Sequence, residues 1–199
     1  MTRKTQSPYD LIWNHENQFA FTVARQVLEK PKISVWIILI PVLFLYYAHK
    51  IQQYKAAMHD FSRGLMRSKI LALDSAKEEL DSGRKNSDYE AAFESGDLEG
   101  SPNGRRVREM QIAEVMLLKS HYSRLLGNQG SNYQTLVKKT YRTGADYRQF
   151  LNQLARAEEA VNDAVLRAFH PEREAREVIQ KMQEATLALR EKEITTFFG

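Results

Sequence analysis

Residues 33–48 read ISVWIILIPVLFLYYA, sixteen positions without a charge and with little polarity beyond Ser34. A helix through them reaches ~24 Å at ~1.5 Å per residue, somewhat short of a ~30 Å hydrocarbon core. Lys32 and Lys50 flank the run and can snorkel, which makes up part of the shortfall. Trp36 lies near one end and Tyr46 and Tyr47 near the other, where amphipathic rings favour the headgroup level. Lys55 follows within reach of lipid phosphates. The competing reading, a central helix of a soluble bundle, needs apolar partners on every side. No other segment of the chain is apolar all round. The expectation is therefore a single transmembrane anchor over 33–49, with Lys32, Trp36, Tyr46, Tyr47, Lys50 and Lys55 at the membrane interface.

Pro41 falls in the middle of the run. It removes a backbone donor and kinks the helix or, as the lesser alternative, turns it into a re-entrant hairpin. Thirty-two residues precede the run, too many for the charged start of a signal peptide, and no A-x-A pattern follows it. Basic residues do not settle orientation: Arg3, Lys4, Arg25, Lys30 and Lys32 stand upstream, Lys50, Lys55, Arg63, Arg67 and Lys69 downstream. Only Asp60 offsets the downstream set, and the reading leans to a cytoplasmic C-terminal part.

Working outward, residues 1–32 read as an amphipathic helix. Ser7 can cap it, Pro8 suits the first helical position and Asp10 complements the positive helix end. Ile12, Phe19, Val23 and Val27 share one face, broadened by Trp13, Ala20 and Ala24. Beside a membrane span such a helix lies in the interface or folds back onto the C-terminal bundle. Downstream, 50–82 predicts a stalk helix continuous with the anchor. Its apolar stripe runs through Ile51, Tyr54, Met58, Phe61 and Leu65, then shifts to Met66, Ile70, Leu73 and Leu80, as a stutter in a coiled-coil seam does. Gly83, Gly96, Gly100, Pro102 and Gly104 mark 83–104 as a flexible loop.

Residues 105–199 predict an antiparallel helical bundle packing on the stalk, with helices over 105–126, from Ser131 to about Thr143, from Asp146 to Phe169, and from Pro171 to about Thr196. Gly144 reads as a helix end. No segment alternates with period two, so the fold class is all-α.

Several functions are excluded or disfavoured by composition. The 199 residues include no cysteine, which removes disulfide scaffolds, thiolate nucleophiles and Cys-ligated zinc or iron–sulfur centres. Twenty-nine basic against 25 acidic residues leave a net charge of only +4, and the clusters Arg105, Arg106, Arg108 and Lys138, Lys139, Arg142 read as solvated faces, so no nucleic-acid partner is expected. No phosphate loop, H-E-x-x-H, G-x-S-x-G or EF-hand pattern occurs.

One constellation stands out. Glu158 occupies a seam position in the series Tyr147, Leu151, Leu154, Glu158, Val161, Val165 and Ala168. Glu114 and His121, seven residues apart, share a face with Leu117 and Leu118. A metal- or redox-active bundle built on Glu114, His121 and Glu158 is one reading. The Glu-x-x-His pairs of di-metal bundles are missing, however, and a seam glutamate more often pairs with a basic neighbour. The functional expectation is a non-enzymatic, single-pass, membrane-anchored scaffold or accessory subunit without cofactor. Its partners are the lipid bilayer and either another protein or a second copy, met through helical seams. Membrane-surface remodelling through the N-terminal helix is a further alternative.

Overall fold

The computed structural model describes residues 6–28, 41–83 and 101–199, with the backbone alone over 41–50. Every regular element among them is a helix: α1 (Pro8–Val27), α2 (Pro41–Ser82), α3 (Pro102–Leu126), α4 (Tyr133–Thr140), α5 (Gly144–Phe169) and α6 (Arg173–Phe198).

The start of α1 follows its local chemistry. The Ser7 side chain accepts from the Asp10 backbone N–H while the Asp10 carboxylate accepts from the Ser7 N–H, a reciprocal cap with Pro8 at the first turn. Thr143 caps α5 by accepting from the Asp146 N–H, its hydroxyl donating to the Asp146 carboxylate, so Gly144 opens a helix where the sequence suggested an end. Asn132, not Ser131, caps α4, and that helix stops at Thr140. Ser101 caps α3 with Pro102 following, which draws Asn103 and Gly104 out of the expected loop and into the first turn. The remainder of that loop, 84–100, lies outside the described residues. His170, in the left-handed conformation at φ 45°, ends α5 just before Pro171.

Helix directions can be read from paired side chains. Tyr9 bonds Asp74, Glu16 meets Lys69 and Phe21 abuts His59, so α2 numbers fall as α1 numbers rise. The two helices are antiparallel. Ser68 with Glu114 and Glu79 with Lys119 show α3 running in the same sense as α2. His121 on Phe150 sets α5 against α3, while Arg148 with Glu191 and Glu158 with Arg190 set α6 against α5. His15 beside Phe197 and Arg190 beside Phe19 then bring α6 antiparallel to α1.

The main core gathers Ile12 from α1, Leu73 from α2, Leu118 and Leu125 from α3, Leu136 from α4 and Leu151 from α5. A smaller cluster of Val23, Val27 and Ala185 closes the other end of the α1–α6 contact. Helix α1 therefore contributes seven buried residues to the bundle, the second of the two placements its amphipathic face allowed. Among the described side chains of α2, which start at Ile51, the first buried one is Ser62, and buried positions recur from there to Ala76, while Gln52, Gln53, Lys55, Ala56 and Ala57 are exposed. At ~1.5 Å per residue α2 begins roughly 30 Å before that first buried position. Leu80, placed in the seam by its spacing, is 56% exposed.

Among the described residues no helix is long and apolar enough to cross a membrane. Lys32, Trp36 and the 33–40 half of the candidate anchor lie outside them, and of Tyr46, Tyr47 and Lys50 only the backbone is described. Lys55 is exposed on α2.

Candidate functional site

Two polar residues break the apolar face of α1 and α2 at the same height. Glu16 falls four residues after Ile12 and four before Ala20; Lys69 falls between Met66 and Leu73. Both are buried, with Lys69 Nζ 2.5 Å from Glu16 Oε2 and the Tyr122 hydroxyl donating to Glu16 Oε1 at 3.0 Å. Burial alone would raise the Glu16 carboxyl; the Lys69 ammonium, helped by His15 and by the hydrogen bond from Lys69, overrides it and holds the group down at about 2. A buried pair of this kind must satisfy its remaining lone pairs, and Tyr122 does so here.

One helix turn away, Arg190 of α6 offers its guanidinium fork to Glu158 of α5, with both N–H···O distances 2.7 Å. Burial disfavours the arginine charge, but Glu158 more than compensates and raises its pKa. Phe19 lies against both cations, its ring centroid 4.7 Å from Lys69 Nζ and 5.9 Å from the Arg190 guanidinium carbon.

Phe19, Lys69, Glu158 and Arg190 border a cleft of about 490 Å³ into which α1, α2, α3, α5 and α6 all present side chains. Glu114 of α3 lies on its wall. Burial, reinforced by the Glu158 carboxylate, pushes the Glu114 carboxyl up to about 7 against the opposing pull of Lys69, the Ser68 hydroxyl and Arg190. Its hydrogen bond from Ser68 is long, 3.4 Å. One turn earlier, Gln111 also borders the cleft, and its Oε1 is buried with no hydrogen-bond partner among the described residues. At Gly64 an added Cβ would meet nothing within 4 Å, so the wall is open there.

His121 faces elsewhere. Its ring stacks on Phe150 with centroids 4.1 Å apart, and Nδ1 is hydrogen-bonded to the Tyr141 hydroxyl at 2.6 Å. Burial lowers its pKa to about 3, so the ring is neutral. Tyr147, bonded to Glu193, and Tyr133, stacked on His15 at 3.6 Å, complete an aromatic layer with only about 20 Å³ of free space.

Of the three residues singled out by spacing, the fold brings Glu114 and Glu158 to one cleft and sends His121 into packed aromatics. Glu158 has the basic partner its seam position called for. Among the described residues no three His, Asp or Glu side chains gather to hold a metal ion. The reading of the sequence did not single out Glu16, Lys69 or Arg190. The signal for Glu16 and Lys69 was present, each being a charge inside an otherwise apolar stripe. Arg190 directly follows Leu189, and only the packing of α6 shows that it turns inward.

The chain matches no protein-family model, no curated protein and no solved structure.

Proposed function

We propose that this chain is a membrane-docked, non-enzymatic helical bundle, a scaffold or accessory subunit, whose apolar run 33–48 enters the bilayer and returns on the same side. The observation that carries this reading is the antiparallel packing of α1 on α2 through Glu16–Lys69 and Tyr9–Asp74. The end of α1 and the first packed turns of α2 belong to one bundle and to the same end of it, where Val27 shares a cluster with Phe61 and Leu65. A single crossing would place Pro8–Val27 across the bilayer from the helices it packs against. Two crossings would need far more than sixteen apolar residues, since one takes ~20. Entry from one side meets both constraints. Pro41, where α2 begins, divides the run into equal halves, 33–40 and 41–48. The apolar tip would supply affinity by burial, and Lys50 and Lys55 would add on the order of 1 kcal/mol each at an anionic surface.

Because the chain has no cysteine, topology can be tested with single introduced thiols. Gln6→Cys and Glu172→Cys are both at exposed positions. A membrane-impermeant maleimide applied to sealed membranes should label both variants or neither. Labelling of one alone restores the single crossing. Recovery of the full chain in the supernatant after salt washing removes the membrane reading altogether, as would unchanged fractionation of an Ile38→Arg, Leu39→Arg double variant.

A further inference from the structure

The cleft raises a question independent of the membrane, because its polar groups are not in balance. Its two buried cations are already engaged: Lys69 with Glu16, and Arg190 through both fork nitrogens with Glu158. What remains is an excess of acceptors. Glu114 has one long hydrogen bond from Ser68, Gln111 Oε1 has no partner among the described residues, and Glu159 and Glu184 add negative charge at the exposed rim. The rest of the lining is apolar, with Phe19, Leu65, Val161 and Met182 around the opening.

We propose that this cleft is the binding site for a small organic amine, with the ammonium donating to Glu114 and an apolar body lying against Phe19, Leu65 and Met182. The volume, about 490 Å³, falls in the range of small-molecule sites, which are mostly apolar with a few placed polar groups. An incoming cation supplies an uncommitted donor and a positive charge opposite Glu114, since Lys69 and Arg190 are already paired. An anion of the same shape would instead face Glu114, Glu159 and Glu184 with its nearest cations already paired. Partially desolvated Phe19 adds an aromatic face to the attraction.

The probe is hexylamine, compared with hexanoate and 1-hexanol, which keep the apolar body and change the head. The full chain in a non-ionic detergent is titrated calorimetrically, so no bilayer takes part and the result stands apart from the topology test. Hexylammonium should bind at least about tenfold more tightly than either control, the gain expected of one hydrogen bond to a charged group. Affinity should rise from pH 6 to pH 8 as Glu114 ionises; the charges around it are Lys69 on α2, Glu158 on α5, Arg190 on α6 and, behind Lys69, Glu16 on α1. Glu114→Gln should lose the preference over hexanol and the pH dependence together. Gly64→Phe fills the open wall without touching a charge, improves helix propensity and should abolish binding of all three probes. Equal affinity for hexanoate, or hexylamine binding that survives Gly64→Phe, overturns the proposal. So does a folded wild-type chain that takes up no hexylamine at millimolar concentration.

Discussion

Glu114 and His121 lie two turns apart on the same face of α3, both buried, and they live in opposite surroundings. Around His121 every direction is filled: Phe150 covers the ring, Tyr141 holds Nδ1, and the adjoining void is about 20 Å³. Around Glu114 one side opens onto about 490 Å³, and the one hydrogen bond to its carboxylate is long. Burial shifts both groups toward neutrality, the histidine down to about 3 and the carboxyl up to about 7. The difference lies in what neutrality serves. A neutral ring in a closed aromatic layer is a piece of packing. A carboxyl beside empty space, near its own pKa at neutral pH, can take a charge when a partner arrives.

The largest effect should come from the pair that separates the two regions. Glu16 accepts from Tyr122 on the packed side and from Lys69, which borders the cleft. Lys69→Ala leaves a buried carboxylate without its counter-charge, and chemical denaturation should show a loss of about 3–5 kcal/mol. Adding Glu16→Gln to Lys69→Ala should recover much of that loss, since no charge is then stranded. Failure of the second change to recover any stability would mean that Lys69 acts through its alkyl packing alone.

His121→Ala should come next, at about 2–4 kcal/mol, because it opens a cavity in an aromatic layer and strands the Tyr141 hydroxyl. The wild type also carries a pH signature from this ring. Its folded pKa lies below its unfolded value, so the unfolded chain binds the extra proton. The stability it contributes is complete above about 6.5 and drains away toward about 3, at up to roughly 1.4 kcal/mol per pH unit. Denaturation midpoints of His121→Ala should be flatter than wild type across that window. A parallel pH dependence in the two proteins would place another group at its source.

The two regions also differ in how much of them could be read from residue order. The helical class, the Ser7–Asp10 cap and the end of the long helix at Ser82 follow from spacing and capping chemistry acting within a few residues. Those forces are local, so the sequence carries them. The pairing of Glu114 with His121 also rests on a local rule, the seven-residue repeat, but that rule reports only that they share a face. Which neighbour fills that face depends on α5, whose Phe150 reaches His121 while its Glu158 stops beside Glu114. The same holds for α1: its amphipathic face suited a lipid surface as well as a protein one, and α2 and α6 decide between them. Lys69 was hidden for a different reason. A single charge in an apolar stripe has no visible partner until Glu16, fifty-three positions away, is folded against it.

The smallest expected effect is the sharpest test of the contrast, because its sign depends on pH. Glu114→Gln keeps shape and hydrogen-bonding capacity while removing ionisation. At pH 4 and below the wild-type carboxyl is largely protonated in both the folded and the unfolded chain, so the two proteins should agree within about 0.5 kcal/mol. The folded pKa of Glu114, about 7, lies above the value of 4.5 in the unfolded chain. The folded protein therefore binds the additional proton between those values, and wild-type stability from this group falls as pH rises through them. Glutamine has no such penalty. By pH 8 Glu114→Gln should be the more stable protein, by a margin on the order of 1–3 kcal/mol. The cleft thus predicts a substitution that stabilises at pH 8, whereas the aromatic layer two turns along the same helix predicts one that destabilises there. If Glu114→Gln is destabilising at pH 8, the carboxylate is holding structure together as His121 does, and the distinction between an open and a closed site on α3 collapses.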